Sequence, residues 1–175
     1  MYRMTNYLWM FSLVLASTCC GVEPIVTDKP PQPYIVHRAS RAPKIDGNLN
    51  EPDWERAATV TTFHLFRPVE VDQLPKTVAR AMWDQTHLYI GFECVDDDIW
   101  SYSQKNDDPL YLGDVVELFV KPSHDSLQYY EFVVAPNGAI YDARYPSRGA
   151  GLSHRFSKWN SKTKIATKIS GTNDN

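Results

Sequence analysis

The stretch NDDPLYLGDVVELFVKP, Asn106–Pro122, carries the clearest strand signal in the chain. An acidic loop leads into a short apolar run that contains one charge, Glu117, and ends at a proline. Side chains on a β-strand alternate between its two faces, so this run divides into two sets. The aliphatic set, which predicts burial in a core, comprises Val116, Leu118 and Val120. The opposite set places Glu117 beside Phe119, which predicts an outward face with a carboxylate and an aromatic ring.

The composition favours one strand-rich domain. The chain has 175 residues, of which 43% are hydrophobic and 13% aromatic, enough to bury a sizeable core. The 12 prolines add turn signals to this β-favouring aromatic content. A formal net charge of -3 gives no positive field that would attract phosphate groups, so nucleic-acid binding is not expected.

Short runs with alternating side chains recur along the chain and are separated by turn residues. The only helix expected after the N-terminal segment is a short one that contains Trp54 and has Asn50 as its cap. The pattern therefore predicts an all-β antiparallel β-sandwich with one short N-terminal helix. The other predicted strands are Tyr34–His37, Thr61–Phe66, Lys76–Trp83, His87–Val95, Gln128–Ala135, Ala139–Tyr145, and a last hairpin of Phe156–Trp159 and Thr163–Ile169.

The first 20 residues have the features of an export signal. Arg3 gives a positive start, and Leu8–Ala16 is an apolar run too short to span a bilayer. Cys19 follows small residues, as in bacterial lipoprotein signals, so a lipid anchor on Cys19 and an ordinary cleaved signal are both open. The sequence predicts export to the periplasm, the outer membrane or the exterior. Residues 21–33 are then a linker and residues 34–175 the domain.

Cys94 lies in the predicted domain, whereas Cys19 and Cys20 lie in the signal region. No disulfide framework and no C-x-x-C motif are therefore expected. Cys94 shares strand parity with Ile90 and Phe92, which predicts a buried apolar thiol.

Several aromatic and acidic side chains are candidates for recognising a polyhydroxylated ligand. A sugar is bound by a flat aromatic ring under its C–H face and by carboxylates or amides at its hydroxyls. The candidate residues are Tyr111, Glu117, Trp83 and Trp100. The alternative is that these aromatic rings pack in the core or against loops.

Calcium is the metal for which the sequence offers candidate ligands. It takes roughly six to eight oxygen ligands, which acidic loops supply. The candidates are Asp96, Asp98, Asp107 and Asp114, with Asp97 and Asp108 beside them. The sequence has no EF-hand spacing, so the alternative is a set of solvated carboxylates that cap turns.

No catalytic arrangement is expected. A glycosidase needs two carboxylates opposed across a cleft, roughly 5–10 Å apart. Asp114 and Glu117 are three residues apart, which places them on opposite faces of a strand. Glu117 and Glu131 share the outward face of neighbouring strands, but a shallow sheet face provides no cleft. The sequence also lacks a G-x-S-x-G motif and the H-x-x-x-H spacing of zinc sites.

Four segments in the same order resemble the family 9 carbohydrate-binding modules and their relatives. They are KIDGNLNEPDWERA, VARAMWDQTHLYIGFECVDDDI, DDPLYLGDVVELFVKP and YYEFVVAPNGAIYDAR. The resemblance extends from about Pro33 to Thr172 and implies an immunoglobulin-like or DOMON-like β-sandwich. It also implies sugar binding, association with glycoside hydrolases in polysaccharide breakdown, and bound calcium.

Only some of the family's sugar-binding residues have a counterpart in this sequence. Family members place a Trp before the D-x-V-E motif, where this chain has Tyr111, and Glu117 matches a sugar contact. Val133 stands where the family has a sugar-binding Arg. The family's second Trp falls beyond Asn175, so a domain truncated at its C-terminus is expected. Two alternatives stay open: a cell-surface interaction domain that has lost sugar binding, and a haem-binding DOMON-like electron-transfer domain with Met82 as a ligand.

Overall fold

The computed structural model describes residues 33–63, 75–150, 156 and 158–171. The predicted signal, including Cys19, and nearly all of the predicted linker lie outside the described residues. No helix in the described ranges is long and apolar enough to cross a membrane. The elements, in chain order, are β1 His37–Arg38, α1 Pro52–Arg56, β2 Thr59–Val60, β3 Thr77–Trp83, β4 Leu88–Cys94, a 3₁₀ turn at Leu110–Leu112, β5 Val116–Val120, β6 Tyr129–Val134 and β7 Ile140–Tyr145.

The strands form two sheets. In the first sheet, β3 pairs with β4 along its whole length in the antiparallel direction. Along the other edge of β3, β2 pairs antiparallel and β1 pairs parallel. In the second sheet, β5, β6 and β7 pair antiparallel in chain order. The predicted all-β sandwich with one short helix is confirmed.

The helix α1 packs its Trp54 against the first sheet. Pro52 stands at the start of the helix, where its missing N–H costs no hydrogen bond. Trp54 is 4% exposed and forms a buried cluster with Ala39 and Met82. The cap is Glu51, whose carbonyl accepts from the Trp54 N–H at 2.9 Å, so the predicted cap at Asn50 was wrong by one residue. Met82 is a core residue of this cluster, which gives the haem alternative no support.

On the face that the sequence assigned to solvent, Glu117 is exposed as expected, but its neighbours on β6 and β7 are buried more deeply. The register places Val133 between Glu117 and Tyr141 on that face. Its neighbours Val133, Ala135, Ala143 and Tyr145 are each at most 2% exposed. The predicted core set of Val116, Leu118 and Val120 is only half-buried. Small alanines between tyrosines are covered by the larger rings beside them. The alternation of side chains along a single strand does not predict this burial, because the covering rings come from neighbouring positions and strands.

Residues 158–171 pack against the second sheet and reach the first loop of the domain. The Trp159 ring contacts Tyr130 at 4.9 Å between centroids. Ser161 donates its N–H to the buried Asp142 at 2.9 Å, and Lys168 Nζ donates to Asn48 Oδ1 at 2.6 Å. These contacts use side chains rather than a sheet edge, so the predicted strand at Thr163–Ile169 is absent.

Two smaller predictions are also corrected. Cys94 is exposed rather than buried, because it is the last residue of β4 and pairs with Thr77 at the end of the sheet. The strand predicted at Thr61–Phe66 is wrong for residues 61–63, which follow the short strand β2 without belonging to it, and residues 64–66 lie outside the described ranges.

The turn between β3 and β4 is organised by the Asp84 carboxylate. It accepts hydrogen bonds from the N–H groups of Thr86 (2.7 Å) and His87 (2.8 Å) and from the Tyr89 hydroxyl (2.7 Å). The Tyr89 hydrogen bond and these N–H donors hold the pKa of Asp84 far below its usual value. The same contact raises the pKa of Tyr89 to about 12. Asp84 therefore stabilises the hairpin in its charged form.

We expect the substitution Asp84→Asn to lower the melting temperature in a pH-dependent way. Because the folded pKa is depressed, the carboxylate contributes its full stability above the ordinary pKa of 3.8 and loses it as the pH falls towards the folded value. The gap between the protein and the variant should therefore be largest near neutral pH and shrink in acid. Thermal unfolding followed by circular dichroism measures it, with the exposed Asp97→Asn as control. A gap that is constant with pH contradicts this role.

Candidate functional site

The second sheet brings acidic and aromatic side chains together on one face. In the register, Val133 lies between Glu117 and Tyr141, Glu131 lies beside Phe119, and Tyr129 lies beside Tyr145. Paired residues on neighbouring strands point to the same face of a sheet. We call this surface the tyrosine–glutamate face, and it comprises Glu117, Glu131, Tyr129, Tyr141 and Tyr145.

The two glutamates of this face are partly desolvated. Burial raises the pKa of Glu117, although its side chain keeps contact with solvent. Burial also raises the pKa of Glu131, a hydrogen bond from Tyr145 opposes that rise, and the charge of Glu117 adds to it. The two carboxylates are therefore close enough to repel each other and available to accept hydrogen bonds.

The tyrosines of the face form a connected set. The hydroxyls of Tyr141 and Tyr145 lie 3.0 Å apart. Burial first, and then the hydrogen bonds to Tyr141 and Glu131, raise the pKa of Tyr145 well above its ordinary value. Tyr129 stacks on Tyr145, with ring centroids 4.8 Å apart and ring planes inclined by 13°. This network fixes the orientation of the Glu131 carboxylate.

Tyr111 lies at one end of this face on the 3₁₀ turn. The turn is anchored by Leu110, which is 1% exposed and packs with Val133 in a buried cluster. Tyr111 itself is 53% exposed. It lies near Tyr141, whose pKa is raised chiefly by burial and to a lesser extent by neighbouring groups that include Tyr111. Of the predicted site residues, Tyr111 thus lies near Tyr141, and Glu117 lies on the same face with Val133 between it and Tyr141.

Trp100 lies beside the same turn. Its backbone N–H donates to Asp114 Oδ2 at 2.7 Å, and its carbonyl accepts from the Asp114 N–H at 3.0 Å. Its ring packs on Gly113, where an added Cβ would lie 3.1 Å from Trp100 Cε3, and contacts Tyr102 edge-on. The ring is 40% exposed, so Trp100 is not a core residue, and its contacts with Gly113 and Tyr102 fit the alternative of packing against loops.

Trp83 lies elsewhere. It ends β3 in the other sheet, and its indole N–H donates to the Val36 carbonyl at 3.1 Å. Arg38 lies over its ring at 5.8 Å from the centroid. The described side-chain contacts of Trp83 are with the N-terminal segment, and no described contact joins it to the tyrosine–glutamate face.

The predicted calcium ligands lie in separate turns. Asp114 accepts from the Trp100 N–H, and Asp96 accepts from the Asp98 N–H at 3.0 Å. Burial first, and then the charge of Asp142, raise the pKa of Asp107. Within the described ranges, no group of three or more His, Cys, Asp or Glu side chains is arranged to hold a metal ion. These contacts fit turn-capping carboxylates, and calcium binding stays a prediction without support from the geometry.

The sequence analysis missed the three tyrosines of the face. Tyr141 and Tyr145 alternate along β7 with the small Ala143, and Tyr129 begins β6 with the same parity as Glu131. Residues that pair across neighbouring strands share a face, so extending the alternation from Glu131 to the strands on either side would have placed these tyrosine rings on the same face as Glu131.

Comparison with known proteins agrees with this architecture. The family model described as "Carbohydrate family 9 binding domain-like" matches residues 45–173, which is most of the chain. Neither the curated proteins nor the solved structures contain a significant match. The matched segment includes every strand except β1, the 3₁₀ turn and every residue of the tyrosine–glutamate face. The chain therefore belongs to the carbohydrate family 9 binding domain-like family.

Proposed function

We propose that the protein is a non-catalytic carbohydrate-binding domain whose site is the tyrosine–glutamate face with Tyr111 at its end. The observation that carries this proposal is that an exposed ring, Tyr111, lies near Tyr141 on the sheet face that also carries the exposed Glu117. The ring offers a flat apolar surface to the C–H side of a pyranose, and the carboxylate accepts from its hydroxyls. Family membership supports carbohydrate as the partner.

The carboxylates are poorly placed for hydrolysis. Glu117 and Glu131 lie on adjacent strands of one sheet, offset by two positions in the register, so they stand side by side. Glycoside hydrolysis needs two carboxyl groups on opposite sides of the scissile bond. Asp114 is held by the Trp100 N–H. Binding without catalysis is the function that this geometry supports best.

The biological setting is a further part of this proposal. We propose that the protein is exported and assists glycoside hydrolases in polysaccharide breakdown, with Cys19 as a lipid anchor or with a cleaved signal. Support comes from the apolar run Leu8–Ala16 that precedes Cys19 and from the family resemblance. Mass spectrometry of the mature protein distinguishes a lipidated Cys19 from a free N-terminus.

We expect Glu117→Gln to weaken sugar binding about tenfold or more. A hydrogen bond to a charged group contributes about 1.5–3 kcal/mol, and about 1.4 kcal/mol corresponds to a factor of ten. Isothermal titration with glucose, cellobiose and xylo-oligosaccharides, with and without calcium, measures the affinity. Glu93→Gln is the matched control, because Glu93 lies on β4 of the other sheet and pairs with Arg80. Equal affinities of the protein and Glu117→Gln contradict the assigned role.

One observation favours a second candidate, an interaction domain that has lost sugar binding. Val133, which stands where the family resemblance implies a sugar-binding Arg, is 1% exposed and packs in the cluster with Leu110. It offers no polar group to a ligand. If none of the three sugars binds to the protein, the interaction domain replaces carbohydrate binding as the proposed function.

A further inference from the structure

The centre of the tyrosine–glutamate face offers hydrogen-bond acceptors. A carboxylate only accepts, so Tyr145, which hydrogen-bonds Glu131, donates its hydroxyl hydrogen to that residue. The hydroxyls of Tyr141 and Tyr145 lie 3.0 Å apart, and because the single hydroxyl hydrogen of Tyr145 is directed to Glu131, we assign Tyr141 as the donor in that contact. Both hydroxyl hydrogens are therefore used within the face. What Glu117, Glu131 and Tyr141 offer to a ligand is oxygen lone pairs.

Negative charge dominates the centre of the face. None of the ion pairs between described residues includes Glu117 or Glu131. Burial and the repulsion of Glu117 raise the pKa of Glu131. Two cations belong to the end of the face: Arg148 lowers the pKa of Tyr129 against a larger rise from burial, and Lys121 directly follows β5 with the parity of Glu117. Val133 supplies no positive charge at the position between Glu117 and Tyr141.

A ligand that complements this surface brings donors and positive charge. A protonated amine has three donors, no acceptor and one positive charge, whereas a sugar hydroxyl offers one donor and no charge. Aromatic faces also attract ammonium groups. We propose that the face selects carbohydrate with protonated amino groups, such as β-1,4-linked glucosamine units, over neutral sugars. This inference rests on the proposed carbohydrate-binding function and names its ligand class.

Titration calorimetry of the full chain at about pH 6 tests the selection with three probes. They are the β-1,4-linked disaccharide of glucosamine, its N-acetylated form and cellobiose. We expect the glucosamine disaccharide to bind about tenfold more tightly than the other two, since hydrogen bonds between charged groups are the strong ones. The N-acetylated probe removes the charge from the ligand and leaves the protein unchanged.

Two variants locate the source of the preference. Glu131→Gln should bring the glucosamine disaccharide to within about threefold of cellobiose, because it removes one of the two carboxylates of the face. Glu93→Gln removes the same charge from the other sheet, where Glu93 pairs with Arg80, and should keep the full preference. Circular dichroism establishes that both variants are folded. If Glu131→Gln does not fold, the comparison of the three probes on the unchanged protein still decides whether the protein prefers the amino sugar.

The outcomes separate the two proposals. Cellobiose that binds as tightly as the glucosamine disaccharide, or more tightly, overturns the selection for amino sugars and leaves carbohydrate binding in place. An equal loss in Glu131→Gln and Glu93→Gln attributes the preference to net charge and overturns the assignment to this face. Absence of binding by all three probes overturns the selection and counts against carbohydrate binding itself.

Discussion

Replacing Trp54 with alanine is expected to lower the free energy of unfolding by about 3–5 kcal/mol. Trp54 is 4% exposed and packs with Ala39 and Met82. Its ring also packs against Gly91, where an added Cβ would lie 3.3 Å from Trp54 Cζ3. Removing the indole leaves a cavity between α1 and the first sheet that the strand backbone cannot collapse to fill. Urea unfolding followed by circular dichroism measures the loss.

Two further substitutions define what Trp54 contributes. Trp54→Phe should cost much less than Trp54→Ala, because the Trp54 indole N–H has no hydrogen-bond partner in the described part of the chain and phenylalanine keeps most of the apolar contact. Trp83→Ala is the matched control for the loss of an indole, since Trp83 is 37% exposed. If the two alanine variants lose equal stability, Trp54 is not the core residue that its burial indicates.

The second large effect is expected at Gly47. Its φ of +80° lies in a region that costs other residues about 1–2 kcal/mol. An added Cβ would also lie 2.8 Å from the backbone carbon of Thr167 and 2.9 Å from the Lys168 nitrogen. Backbone atoms cannot move aside as a side chain can, so Gly47→Ala should cost about 1–3 kcal/mol more than the conformational penalty.

Gly138 provides the matched control for Gly47. Its φ of +87° is similar, but an added Cβ meets only the Thr167 hydroxyl at 3.7 Å, an ordinary contact. Gly138→Ala should therefore show the conformational penalty alone. The difference between the two variants in the free energy of unfolding, measured by chemical denaturation, gives the cost of the close approach between residue 47 and the backbone of residues 167–168. Equal losses in the two variants would show that this contact contributes nothing.

Much of the fold follows from local pattern. The alternation in β3 and β4, with Asp84 in the turn between them, gave the hairpin and its position in the chain. The alternation around Pro136-Asn137-Gly138 gave the pairing of β6 and β7 in the same way. Both turns are short, so register is fixed by residues that are neighbours in sequence. The predicted strand at Thr163–Ile169 failed because its residues contact Asn48 and Gly47, which are distant in the chain.

The candidate site was predicted less well than the fold. Alternation along β5 correctly placed the exposed Glu117 on the face opposite Val116 and Leu118, but it did not predict how deeply residues of β6 and β7 would be buried on the face of Glu117. Burial depends on what the 3₁₀ turn and the neighbouring tyrosines cover, and those contacts join different strands. Trp83 was grouped with Tyr111 because both are aromatic residues near turns, and only the topology shows that they belong to separate regions.

By itself, the sequence determined the strand-rich class, the hairpins, the short helix at Trp54 and the resemblance to a carbohydrate-binding family, because each depends on residues close together in the chain. Only the tertiary structure decided that Tyr141 and Tyr145 join Glu117 and Glu131 on one face and that the described carboxylates of the acidic loops do not converge. The physical reason is that hydrogen bonding, desolvation and charge repulsion act over a few ångströms in space. Strand register brings residues into that range regardless of their separation in sequence.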